Sequence, residues 1–288
     1  MKRVPWLCLT LAACLALVGC APAPVAAPQE LVVVTSFYPI YVLTLNVTRG
    51  VPGVTVRNMA APQAGCLHEY QLLPGDMQTL AQAGVFIING AGMESFLDRT
   101  RAMYPDLPVI EAARDIPLLH GNPHVWVDPL GAAAQVRAIA AGLADVDPSH
   151  AADYEANGEA YAARLEALCA DMRAKLADVT HRDIVTFHEA FPYFARALDL
   201  RVVAVIEREP GSEPTPLELV ETVRAVREAG ATALFAEPQY ASDAAAIIAR
   251  ETGARVYTLD PVVTGPLEPD AYERAMERNL AALQEALR

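Results

Sequence analysis

Short apolar runs alternate with helical stretches in two separate parts of the chain. In the first part, buried strands are predicted at 31–35, 54–58, 85–88 and 109–111, with helices near 39–49, 73–83, 93–103 and 131–144. In the second part, strands are predicted at 184–187, 202–206, 234–236 and 256–259, with helices near 190–198, 216–229, 240–252 and 270–287. This alternation is typical of parallel sheets with crossover helices.

One long helix is predicted between the two parts. From Pro148 to about Val179, apolar residues recur at steps of three, four and seven. Asp147 and Pro148 form a helix start signal. At about 1.5 Å per residue such a helix would be roughly 45 Å long, which exceeds the width of one lobe. We therefore predict an α/β fold with an N-terminal lobe (31–146), a linking helix (147–180) and a C-terminal lobe (181–288).

The first 30 residues have the pattern of a targeting segment. Lys2 and Arg3 precede an apolar run from Val4 to Gly19, which is too short for a comfortable membrane span but normal for a secretory signal. The run ends at Cys20 and looks like a bacterial lipobox. We predict a signal peptide over 1–19, lipidation of Cys20, and a proline- and alanine-rich tether over 20–30. The protein is therefore expected outside the cytoplasm, anchored by lipid to the outer face of a membrane or in the periplasm.

Charge and cysteine content exclude two classes of protein. The chain has 22 Lys and Arg against 35 Asp and Glu, a formal net charge of −13. An acidic surface argues against nucleic acid as a partner. Beyond Cys20 the chain has two cysteines, Cys66 and Cys169, which do not make a disulfide framework.

Four residues are predicted to form a metal site. His68 lies in a loop after the second strand, and His124 lies in the segment Asn122-Pro-His-Val-Trp-Val-Asp-Pro129. His188 and Asp260 directly follow strands of the second lobe. Residues just past strand ends face the crevice in which open α/β sheets bind ligands. Three neutral imidazoles and one carboxylate suit Zn²⁺, and they suit Mn²⁺ less well because Mn²⁺ prefers oxygen.

Other candidates stay open at this point. Cys66 precedes His68 by two positions, so its thiolate is either a zinc ligand or a small apolar side chain. His120 is a candidate for transient metal contact, Glu189 is expected to point away from the site, and Asp128 is expected to cap a helix. The following residues need no functional role: Tyr70, Trp126, His150, Cys169 and His181.

Several motifs in the right order resemble one family. The lipobox, the Pro-His-Val-Trp-Val-Asp-Pro segment and the His-Glu-Ala-Phe-Pro-Tyr-Phe segment resemble the metal-binding lipoproteins of zinc and manganese ABC importers. So do Pro210-Gly-Ser-Glu-Pro-Thr-Pro216, Phe235-Ala-Glu-Pro-Gln239 and Leu259-Asp-Pro261. The resemblance implies two lobes joined by a rigid helix, with metal in the cleft between them. It also implies delivery to a membrane permease driven by a cytoplasmic ATPase, and we expect a monomer.

Matching motif to motif, the ligands of this family fall on His68, His124, His188 and Asp260. Manganese-type members tend to carry a carboxylate at the position of His188, so the resemblance favours the zinc type. Two features depart from the family pattern. Cys66 and Leu67 stand where a proline usually precedes the first histidine, and a histidine-rich loop before the second histidine is missing.

The alternatives are a manganese or iron importer subunit, a zinc hydrolase and a surface adhesin. Neither His68-Glu69 nor His188-Glu189 completes the His-Glu-x-x-His signature of zinc proteases, and no Gly-x-Ser-x-Gly motif is present. We expect a binding protein without enzymatic activity. Nothing in the sequence separates an adhesive surface from an ordinary acidic one.

Overall fold

Two parallel four-stranded sheets form the frame of the molecule. The computed structural model describes residues 30–61, 66–68, 70–206, 214–238 and 243–288. The first sheet contains β1 (Leu31–Thr35), β2 (Val54–Asn58), β3 (Val85–Ile88) and β4 (Val109–Glu111). The second contains β5 (Asp183–Thr186), β6 (Arg201–Val205), β7 (Ala233–Ala236) and β8 (Arg255–Thr258). The predicted signal peptide and most of the predicted tether lie outside the described residues.

Helices connect the strands and cover both sheets. In chain order they are α1 (Tyr38–Val47), α2 (Pro74–Leu80), α3 (Leu97–Met103), α4 (Pro129–Val146), α5 (Ala151–Lys175), α6 (Pro192–Ala197), α7 (Pro216–Ala229), α8 (Asp243–Thr252) and α9 (Ala271–Ala286). The side chain of Asp128 accepts a hydrogen bond from the Leu130 amide at the start of α4, which confirms its prediction as a helix cap. Among the described helices, none is both long enough and apolar enough to cross a bilayer.

The two sheets have the same topology. The strand order is β2-β1-β3-β4 in the first sheet and β6-β5-β7-β8 in the second, and all neighbouring strands are parallel. In the first sheet β2 lies on one side of β1, and the chain then crosses to β3 and β4 on the other side. The second sheet repeats this path around β5. Ligands of open α/β sheets bind at the carboxyl ends of the strands near this point. The predicted two-lobed α/β fold is confirmed.

The linking helix is shorter than the sequence predicts. A 3₁₀ turn at Pro148–His150 precedes α5, and the 25 residues of α5 span roughly 37 Å. The helix ends at Lys175, and a few residues later the amides of Thr180 and His181 donate to the carbonyl of Leu287, at the end of α9. The exact domain boundaries drawn from the sequence stay a prediction.

Buried hydrogen bonds join the two lobes. The indole Nε1 of Trp126 donates to the Pro261 carbonyl at 2.8 Å, and the Tyr272 hydroxyl donates to the Trp126 carbonyl at 2.7 Å. The Tyr38 hydroxyl donates to the Pro266 carbonyl at 2.9 Å. One continuous apolar core contains residues of both lobes and of α5. The lobes therefore pack against each other directly, in addition to sharing the linking helix.

Candidate metal centre

His124 is fixed by the turn in which it lies. It immediately precedes a 3₁₀ turn, Val125–Val127, whose residues are fully buried. Its Nδ1 lies 2.9 Å from Oδ1 of Asn122, which also accepts a hydrogen bond from the His124 amide. Because the amide oxygen of Asn122 is an acceptor, Nδ1 carries the proton, and Nε2 is left with a lone pair. A Cβ on Gly131 would collide with the Val125 carbonyl, so glycine is needed where α4 packs on this turn.

His188 is fixed by a carboxyl group of the neighbouring strand. Its Nδ1 lies 2.9 Å from Oε1 of Glu237, and the two side chains are 3% and 1% exposed. His188 follows β5 and Glu237 follows β7, the adjacent strand. The two side chains therefore meet at the carboxyl ends of these two strands. The carboxyl oxygen accepts the Nδ1 proton, which leaves Nε2 of His188 as the nitrogen able to bind a cation.

Cys66 and His68 come from the loop after β2. The Leu67 side chain between them is fully buried, whereas Cys66 and His68 are partly exposed. Nε2 of His68 lies 3.2 Å from Nε2 of His124, and Sγ of Cys66 lies 3.6 Å from the same nitrogen. Both side chains of this loop therefore contact His124, which is nearly completely buried.

Four side chains from the two lobes bring their donor atoms to one point. Cys66, His68, His124 and His188 each offer one ligand atom, and these atoms all lie within 4.8 Å of one another. The ring centroids of His124 and His188 are 4.7 Å apart, and those of His68 and His188 are 6.4 Å apart. Donors of this type and number are those of a tetrahedral zinc site.

The electrostatics of the group favour a cation. Burial lowers the pKa of His124 well below its usual range, and the nearby His188 and His68 lower it further. His124 is therefore neutral near neutral pH, which is the form that binds a metal. A cation would compensate for three imidazoles packed with their lone pairs together.

Asp260, the fourth residue of the predicted set, lies outside this group. It follows β8, as expected, and is 8% exposed. Its Oδ1 accepts a hydrogen bond from the Val262 amide at 2.8 Å, and its Oδ2 accepts one from Arg278 at 3.3 Å. Its negative charge acts on the buried Tyr38 hydroxyl: burial first and Asp260 second raise the pKa of Tyr38 to about 12.

The structure thus brings together three of the four predicted residues, namely His68, His124 and His188, and adds Cys66. From the sequence, Cys66 was an open candidate and Glu237 was not a candidate. Glu237 follows a strand in the same way as His188, and this position was the signal that could have identified it. The remaining histidines and Glu189 lie elsewhere: His120 and Glu189 are exposed, His150 contacts Asp147 beside the linking helix, and His181 is exposed near the end of α9.

Two lobes of parallel sheet, packed on one linking helix with a four-donor group between them, define a solute-binding protein whose solute is a metal cation. The chain belongs to the family described as "Zinc-uptake complex component A periplasmic", whose model matches residues 33–286. This is a family of binding proteins for metal uptake, not of enzymes, so the hydrolase alternative is set aside.

Relatives and solved structures of this type match nearly the whole chain. The high-affinity zinc uptake system protein ZnuA of Brucella abortus is 26% identical over 303 residues, covering 86% of this chain and 89% of that protein. The structure of FpvC from Pseudomonas aeruginosa in complex with Mn²⁺ is 31% identical, with a TM-score of 0.81 and coverage of 90% and 98%. The Zn(II)-bound structure of an AdcAII variant of Streptococcus pneumoniae is 26% identical, with a TM-score of 0.81 and coverage of 91% and 100%.

Proposed function

We propose that this protein is the extracytoplasmic subunit of an ABC importer, which captures Zn²⁺ between its lobes and delivers it to a membrane permease driven by a cytoplasmic ATPase. The observation that carries the proposal is the convergence of His68, His124 and His188, whose possible ligand atoms all lie within 4.8 Å of one another. Two of these residues belong to the first lobe and one to the second. A cation bound to all three joins the lobes, and separating the lobes releases it.

Zinc is the proposed solute because of the donor set. Three nitrogen donors favour Zn²⁺ over Mn²⁺, which prefers oxygen-rich sites and binds more weakly to a given set of ligands. The zinc-uptake family and the zinc-bound AdcAII variant support this choice. The manganese complex of FpvC keeps Mn²⁺ as the alternative solute.

The fourth donor has two candidates. Asp260 is the residue that the family resemblance indicates, and Cys66 is the residue that lies in the group. Either one completes a four-ligand shell without an open position. A closed shell is suited to binding and release, because no site remains for a reactive water.

Attachment to the membrane is a further part of the proposal. Lipidation at Cys20, followed by the short tether, would hold the mature monomer close to the permease. The lipobox supports this reading, and the proposed ligands do not depend on it.

The test is a zinc titration of the purified protein in competition with a chelator of known affinity, together with metal analysis of protein purified without added metal. The parent is expected to bind one Zn²⁺ per chain, and His188→Ala is expected to bind it much more weakly. His181→Gln is the matched control, since His181 is exposed and remote from the group. Equal zinc affinity for His188→Ala and the parent would refute the ligand assignment.

A further inference from the structure

The donor atoms around His124 already have the spacing of a sulfur-containing zinc site. With Zn–N near 2.05 Å and Zn–S near 2.3 Å, tetrahedral geometry puts two nitrogens about 3.3 Å apart, and a sulfur and a nitrogen about 3.6 Å apart. Nε2 of His68 and Nε2 of His124 are 3.2 Å apart, and Sγ of Cys66 is 3.6 Å from Nε2 of His124. Each of these two distances fits a pair of ligands of one zinc ion, and the remaining donor pairs of the group lie within 4.8 Å.

Asp260 is less favourably placed for the same role. Strands in a sheet are about 4.8 Å apart, and β8 is separated from β5 by β7, so Asp260 starts about 10 Å from the strand that carries His188. Both of its carboxyl oxygens already accept hydrogen bonds, from Val262 and Arg278. Its backbone is fixed as well, because Asn279 bonds both its amide and its carbonyl.

The geometry points to Cys66 as the fourth ligand, in a shell of one thiolate and three imidazoles; this assignment rests on the proposed function. On binding, the thiol proton passes to solvent, and the sulfur forms the fourth bond to the metal. The thiolate supplies the same single negative charge as a carboxylate would. It is a softer donor, so the site selects more strongly for Zn²⁺ against Mn²⁺ than a shell of three imidazoles and one carboxylate.

Cobalt substitution tests the assignment directly, because Co²⁺ takes the place of Zn²⁺ and reports on its ligands. The purified protein is titrated with Co²⁺ under reducing conditions. A thiolate ligand gives an intense near-ultraviolet charge-transfer band, and tetrahedral coordination gives strong visible bands. The parent is expected to show both. Cys66→Ser is expected to lose the charge-transfer band, and Cys169→Ala, which changes a buried cysteine remote from the group, is expected to keep it.

The zinc affinities of two variants complete the test. Cys66→Ser is expected to bind Zn²⁺ roughly 100-fold more weakly. This loss is at least as large as the largest loss typical for removal of an outer hydrogen-bond partner of a metal ligand. Asp260→Asn is expected to keep the charge-transfer band and to bind Zn²⁺ within a few-fold of the parent. Far-ultraviolet circular dichroism establishes that each variant is folded. The parent spectrum is decisive by itself, even if Cys66→Ser does not fold.

Each outcome separates this inference from the proposed function. If the parent binds Co²⁺ with visible bands that His188→Ala abolishes, but has no charge-transfer band, then Cys66 is not a ligand and the proposed function stands. If Asp260→Asn loses zinc affinity while Cys66→Ser keeps it, the assignment of the fourth ligand is also wrong. If the parent binds neither metal, the proposed function itself fails.

Discussion

Replacement of Glu237 tests how the second lobe presents His188. The Glu237 carboxyl is the hydrogen-bond partner of His188 Nδ1 at 2.9 Å, and both side chains are almost completely buried. Glu237→Gln keeps an oxygen that accepts the Nδ1 proton but removes the charge. Glu237→Ala removes the acceptor, leaves Nδ1 without this partner and frees the imidazole to rotate or change tautomer.

The expected magnitude follows from this geometry. Loss of an outer partner of a metal-bound histidine typically costs 10–100-fold in metal affinity, which is about 1.4–2.7 kcal/mol. Glu237→Gln is expected near the lower limit, because a neutral hydrogen bond replaces one to a charged group. Glu237→Ala is expected near the upper limit, because the buried Nδ1–H is left unsatisfied.

The assay is a chelator competition for Zn²⁺, with urea unfolding of the metal-free protein in parallel. Glu94→Gln is the matched control. Glu94 is a carboxyl in the first lobe with a similar degree of burial, and it accepts hydrogen bonds from the Ser36 hydroxyl and from the amides of Asn89 and Gly90. It should change stability without changing zinc affinity. Nitrogen NMR of the histidines then reports whether the His188 tautomer has changed.

Two results would contradict the reasoning. Zinc affinity of Glu237→Ala within two- to threefold of the parent would mean that the carboxyl does not orient His188. An equal loss of affinity in Glu94→Gln would mean that general destabilisation, rather than the contact to His188, weakens binding.

Three further predictions concern the metal-free fold. Burial lowers the pKa of His124, so below about pH 6.5 the unfolded chain takes up a proton that the folded protein does not bind. The free energy of unfolding should therefore fall as the pH decreases from 6.5 to 5.5, and His124→Leu should reduce this fall in urea titrations. Trp126→Phe removes the donor to the Pro261 carbonyl and should cost about 1–3 kcal/mol in the same assay; an unchanged midpoint would show that this contact between the lobes is not stabilising. A Cβ on Gly158 would lie 2.6 Å from Cβ of Ala140. Gly158→Ala should therefore lower the free energy of unfolding by up to about 2 kcal/mol, even after the gain in helix propensity is counted. Adding Ala140→Gly should restore part of this loss.

The strands were predictable from the sequence because their residue types suit the places that the strands take in the sheet. The runs at 31–35, 54–58, 85–88 and 109–111 are rich in Val and Ile, and each became a strand of the parallel sheet, with β1 and β3 buried and β2 and β4 at its edges. In the second lobe each strand starts one residue earlier than predicted. The path of the chain after the linking helix was not predictable from local pattern, since Thr180 and His181 bond the carbonyl of Leu287, more than a hundred residues away.

The position of a residue after a strand predicts the edge of the sheet, but it does not predict the distance between side chains. His188 and Asp260 both follow strands of the second sheet, and the sequence treated them alike. Strand order distinguishes them, because β5 is central and β8 is at the edge. Glu237 follows the strand next to β5 and therefore contacts His188. Because the sequence does not state the strand order, it could not show that Glu237, rather than Asp260, follows the strand next to β5 and contacts His188.

The hydrogen bonds around His124 connect its orientation to the position of the other lobe. Asn122 accepts the Nδ1 proton of His124 through its amide oxygen, and its amide nitrogen donates to the Glu189 carbonyl at 2.7 Å. Glu189 directly follows His188. If a permease moves the His188 loop away, it removes one proposed metal ligand and also breaks the hydrogen bond from the Asn122 side chain to the Glu189 carbonyl. The Asn122 side chain then has one contact fewer to hold the oxygen that accepts the Nδ1 proton of His124, so movement of the second lobe would loosen a proposed ligand of the first lobe.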